Sequence, residues 1–107
     1  MRCMIVNPGL KPDIADIPNT LEGLQAAVGG YIEVVQLADN AAMIVNEEGK
    51  LLNLRHNRWV FGKDGRLRDI VSGVILVVGV DGENFCDLDI PQADFYMDVF
   101  RGKNVYL

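Results

Sequence analysis

A small α+β domain, a mostly antiparallel sheet with two helices packed on it, is the fold class that this chain of 107 residues predicts. Three observations carry it. Two segments, 19–28 and 89–100, open with helix-capping residues and repeat apolar residues at helical spacing. The segments outside them are short, rich in Val and Ile, and joined by turns such as Asp39-Asn40 and Asp81-Gly82, too tight for a crossover. Only one strand-helix-strand unit is present, so hairpins must build the rest of the sheet.

The elements follow in order. Residues 2–7 read as a strand ended by Pro8-Gly9, and 10–18, with Pro12 and Pro18, as an extended connection. Asn19 is placed to cap a helix, with Glu22 three residues on as its box partner. Leu21, Leu24 and Val28 share a helical face, and Gly29-Gly30 ends it. Tyr31–Leu37 reads as a strand with Tyr31, Glu33, Val35 and Leu37 on one face, and Ala41–Val45 as its hairpin partner. Asn46–Lys50 is a polar turn, and Leu51–Leu54 a short strand or extended piece. Asp64-Gly65 turns between Trp59–Phe61 and Leu67. The β-branched run from Asp69 to Val80 reads as one central strand, with Gly73 and Gly79 marking bends. Asp89 caps the second helix, with Pro91 in the first turn, Gln92 as box partner, and Phe95 and Val99 on one face. Gly102–Leu107 adds an edge strand or pairs with another subunit.

Composition narrows the function. The length suits a single domain, residues 1–107, and no stretch reaches the ~18 apolar residues of a membrane span. Met1–Val6 lacks the apolar core and small-residue cleavage site of a secretory signal. The chain holds one His (His56), one Ser (Ser72) and one Thr (Thr20), so a Ser-His-Asp triad would need His56 and Ser72 to meet. Cys3 and Cys86 lie far apart, and with His56 they are too few for a zinc site. Two unpaired cysteines fit a reducing cytoplasm. No metal and no cofactor is expected.

The net charge is −5, but it is unevenly distributed. Residues 55–68 hold Arg55, Arg58, Lys63, Arg66 and Arg68 against Asp64 alone, +4 locally, which leaves −9 on the remainder. That remainder opposes duplex nucleic acid. The basic residues are interleaved with Trp59 and Phe61, a composition suited to a phosphate and a stacked base. A solvated loop balancing an acidic body has the same composition. Asn57 with Arg58 is the pair to single out: the amide offers a donor and an acceptor for a base edge or ribose hydroxyl, and the guanidinium a fork for phosphate. Glu33 is a candidate ligand contact or a partner for a basic-segment Arg. Tyr31, Trp59, Phe61 and Phe95 are candidates to line a pocket, although aromatics serve a core equally. Gly29-Gly30 follows a helix instead of opening one, the wrong geometry for a dinucleotide fingerprint.

Six stretches resemble one family: Asn19-Thr-Leu-Glu-Gly-Leu-Gln25, Val28-Gly-Gly-Tyr-Ile-Glu-Val-Val35, Asn46-Glu-Glu-Gly-Lys-Leu-Leu52, Asn57-Arg58, Asp69-Ile-Val-Ser-Gly73 and Leu76-Val-Val-Gly79. In this order they look like the domain-of-unknown-function family numbered 3846, over about residues 4 to 100. Members often carry a small residue or Pro before the Asn-Arg pair, where this chain has Leu54-Arg55-His56, and Ala-Leu after it, where this chain has Trp59-Val60. The family occurs in phages and mobile elements of bacteria, and no activity defines it. The resemblance implies a phage-type accessory protein acting in the cytoplasm of a bacterial host.

Three functions are open at this stage. The first is a non-enzymatic binding module, expected to be a homo-oligomer, that sequesters a small anionic nucleotide-derived immune signal at Arg55, Asn57, Arg58, Trp59, Phe61, Tyr31 and Glu33. The second is a protein–protein inhibitor of a host defence enzyme, of anti-restriction or anti-CRISPR type. The third is a carboxylate and metal nucleotide hydrolase built on Glu33 with Asp69.

Overall fold

Buried side chains alternate along the strands, and that alternation sets the architecture. The structure, a computed structural model, describes all 107 residues. In chain order the elements are β1 (Arg2–Val6), β2 (Asp13–Asp16), α1 (Leu21–Val28), β3 (Ile32–Ala38), β4 (Ala41–Asn46), β5 (His56–Phe61), β6 (Leu67–Ser72), β7 (Ile75–Asp81), β8 (Asn84–Cys86), α2 (Ile90–Val99) and β9 (Asn104–Tyr106). They form two sheets. The larger runs β2-β1-β7-β4-β3, all antiparallel, with β8 also paired to β7. The smaller runs β6-β5-β9, and its β5–β9 pair is the one parallel ladder.

The larger sheet is the middle layer. On one face, Cys3, Ala42, Ile44, Leu76 and Val78 meet Leu24 and Val28 of α1. On the other, Met4, Val6, Met43, Ile75 and Val77 meet Val60, Val71 and Val105 of the smaller sheet and Tyr96 and Phe100 at α2. Period two thus buries both faces of β4 and β7. Each fully buried Ile, Leu or Val side chain contributes about 2 kcal/mol of transfer free energy. The α+β class, the mostly antiparallel pairing and the two helices are as the sequence predicts. No helix is long and apolar enough to cross a membrane.

Four local expectations are corrected. Thr20, not Asn19, caps α1: its Oγ1 accepts from Gly23 N at 3.0 Å. Asn19 instead donates from Nδ2 to the Phe85 carbonyl. Residues 13–16, inside the expected extended connection, pair with β1. Leu51–Leu54 is turn and coil, not strand, with Asn53 in the left-handed region. The apolar run 69–80 is two strands in two sheets, broken at Gly73, whose φ of +86° few other residues adopt and where a Cβ would lie 2.8 Å from Leu54 Cδ1. The Asp89 capping box with Gln92 forms as expected, and the tail adds an edge strand beside β5 of its own chain.

Candidate anion-binding site

The site begins with a bulge in β5. His56 stands opposite Ser72 and Arg58 opposite Val71, so Asn57 is an extra residue in the ladder. The bulge turns two successive side chains inward, and Asn57 and Arg58 are both buried. Asn57 Nδ2 donates to the carbonyls of Val6 at 2.7 Å and Gly73 at 2.8 Å, stitching the end of β1 to the break between β6 and β7. Its Oδ1 accepts from Arg58 Nη1 at 2.8 Å. The amide is fully engaged inside the fold and presents no edge to a base.

Arg58 is held by oxygens that carry no formal charge. Nε donates to the Phe100 carbonyl at 3.0 Å, and Nη2 to the Leu10 carbonyl at 2.7 Å. Phe100 is the C-cap of α2, where free carbonyls concentrate partial negative charge. No carboxylate lies within salt-bridge distance of Arg58. Burial lowers its pKa from the ordinary guanidinium value, and it remains a cation at neutral pH.

Beside this buried cation opens a cleft of about 610 Å³, within the usual size of small-molecule sites. Lys11, Arg55, Arg58, Arg101 and Lys103 line it together with His56, and no acidic residue does. Arg101 is bridged to Asp98 at 2.7 Å; the other four cations have no carboxylate partner. Lys103 Nζ lies 4.5 Å from the Trp59 ring centroid, a cation–π contact. The Arg55 guanidinium packs on Gly9, whose φ is +76°; a Cβ there would stand 2.7 Å from Nη2.

Over residues 1–101 the chain matches the profile of a family described as Domain of unknown function (DUF3846). The chain belongs to this family. No curated protein and no solved structure matches it. In this DUF3846 chain the match takes in the cleft from Gly9 to Arg101 and leaves out Gly102, Lys103 and β9.

The seven residues singled out from the sequence do not converge. Arg55, Asn57 and Arg58 line the cleft. Trp59 touches it through Lys103, and Phe61 lies further along β5. Tyr31 and Glu33 are elsewhere. Tyr31 is exposed beside Gln25 and Glu48, and Glu33 borders an acidic groove of about 360 Å³ with Glu47, Glu48, Asp69 and Lys50. No three His, Cys, Asp or Glu groups of this DUF3846 chain are arranged to hold a metal ion. Lys63, Arg66 and Arg68 do not line the cleft; Asp64 pairs with Arg66 and Arg68 at the hairpin tip. His56 and Ser72 are cross-strand neighbours, but no hydrogen bond joins their side chains.

Lys11, Arg101 and Lys103 were missed by sequence reasoning. They come from two segments, around Lys11 and at 101–103, that meet the basic stretch of β5 only in the fold.

Proposed function

We propose that the cleft binds a small polyanion of the nucleotide-phosphate class and holds it without turning it over. One observation carries this reading: five cations converge, four without a carboxylate partner, in a chain whose net charge is −5. Like charges repel, so four solvent-facing cations with the buried Arg58 behind them gain most from an anion with several charges. The exposed Arg55 fork suits phosphate oxygens, and the buried Arg58, its nitrogens held by carbonyls, adds positive charge behind it. Among the cleft-lining side chains, His56 is the one imidazole and none is a Ser, Thr or Cys, which supports retention over cleavage. In the phage setting implied by the family resemblance, the ligand is a nucleotide-derived immune signal and the function is its sequestration in the host cytoplasm.

Native mass spectrometry after incubation with a panel of mono-, di- and cyclic nucleotides tests this. The expected result is one intact-ligand mass increment per cleft, lost in the double variant Lys11→Ala/Arg55→Ala. The same spectra give the oligomeric state. A bare protein, or an increment that the double variant keeps, contradicts the cleft and moves the weight to inhibition of a host protein. Release of a cleaved ligand contradicts sequestration.

A further inference from the structure

The outer face of the smaller sheet continues from the cleft along β5. Its inner face is apolar core, through Val60, Val71 and Val105. The register fixes what the outer face carries. Ile70, Trp59 and Asn104 form one row across the three strands, and Leu67, Phe61 and Tyr106 the next. No helix covers the second row: Tyr106 is 64% exposed and Leu67 48%. Phe61 and Tyr106 stack, with centroids 5.2 Å apart and planes at 22°. Beyond them lie Lys63, Arg66 and Arg68 at the hairpin tip, with Asp64 the only acid there. At the other end Lys103 joins Trp59 to the cleft. The indole N–H of Trp59 is buried and meets no acceptor in the chain.

We propose that this face is a base-stacking platform, which makes the ligand a short single-stranded oligonucleotide with phosphate in the cleft, drawing Lys103 off the Trp59 ring, and bases on Trp59 and the Phe61–Tyr106 pair. This deepens the cleft reading and rests on it. Aromatic rings in two successive rows, flanked by unpaired or partly paired cations, are what a stacked single strand requires: every base has a face to stack, and every linkage a charge to neutralise. A duplex offers no free base faces, and the acidic remainder of the chain repels its wider charge. A protein partner would match the apolar rings but leave the cations at both ends without counter-charge.

Trp59 is the sole tryptophan, so protein fluorescence reports on this face and on the Lys103 contact that links it to the cleft. The experiment titrates the full chain with a four-residue oligodeoxythymidylate and, separately, with tripolyphosphate at the same low salt. The oligonucleotide is expected to quench Trp59 saturably and to bind at least about tenfold tighter than tripolyphosphate. Tyr106→Ala is expected to weaken the oligonucleotide by about tenfold, with tripolyphosphate affinity by calorimetry unchanged and the far-ultraviolet circular dichroism of the folded chain retained. Equal affinities without quenching overturn the platform and leave the cleft standing. Quenching without any tripolyphosphate binding overturns the cleft and, with it, the placement of phosphate there. Trp59 emission that changes with protein concentration, and not with oligonucleotide, overturns the proposal in favour of a contact between copies.

Discussion

The basic cleft and the acidic groove differ less in how much charge they gather than in how that charge is held. The groove collects Glu33, Glu47, Glu48 and Asp69, but three of these side chains are exposed and Asp69 is bridged to Lys50. Such charges are solvated and screened, and each is worth little. In the cleft, Arg58 is buried behind the wall and fixed by carbonyls of Leu10, Asn57 and Phe100. Its charge is compensated only by dipoles, and four exposed cations join it. Charge clusters are therefore distinguished by their partners, not by their density.

That contrast can be broken at its anchor. Arg58→Ala removes hydrogen bonds to three carbonyls in separate segments, and is expected to cost on the order of 3 kcal/mol in urea unfolding. An unchanged midpoint would show that the fold does not depend on this buried cation. Gly9→Ala acts one step out. It strains a left-handed position and displaces Arg55, so it is expected to cost about 1 kcal/mol and to lower tripolyphosphate affinity several-fold by calorimetry. Glu33→Gln combined with Glu47→Gln sharpens the contrast from the other side. Stability should stay within about 0.5 kcal/mol of wild type, and tripolyphosphate affinity should rise no more than about twofold, an increase that vanishes in salt.

A pH-dependent effect concerns a group outside both regions. Burial in the apolar layer under α1 raises the Cys3 thiol to about 11 from an ordinary 9.0. The native state therefore keeps a proton that the unfolded chain releases, and stability is expected to fall as pH rises from 9.0 towards about 11. Cys86, half-buried and also raised, should react first with a thiol reagent. Equal labelling rates for the two cysteines, or stability that climbs over that window, would contradict the buried placement of Cys3.

Much of the fold was legible because period two and capping chemistry are local. The Asp89–Gln92 box and the buried alternation of β4 and β7 need only neighbouring residues. The division of 69–80 between two sheets was not legible in the same way. A β-branched run gives no sign of which partner it pairs with, and Gly73 fits a bend inside one strand as well as a break between two. The site was half legible for a related reason. Arg55, Asn57 and Arg58 are adjacent in sequence, so their composition stood out. Yet the bulge that turns Asn57 and Arg58 inward depends on pairing with β6, and it gives Asn57 a clamping role that its side chain alone does not announce. Lys11, Arg101 and Lys103 are brought in by the fold, while Tyr31 and Glu33 are carried away from the cleft on an edge strand and the loop before it.

The most direct test of the cleft is a calorimetric titration of tripolyphosphate into the wild-type chain and into Lys11→Ala/Arg55→Ala, at about 50 and about 200 mM salt. The account predicts saturable one-to-one binding to the wild type that weakens by at least about tenfold in the variant and falls steeply with salt. Equal heats for the two proteins, or binding indifferent to salt, would mean that the converged cations are not an anion site.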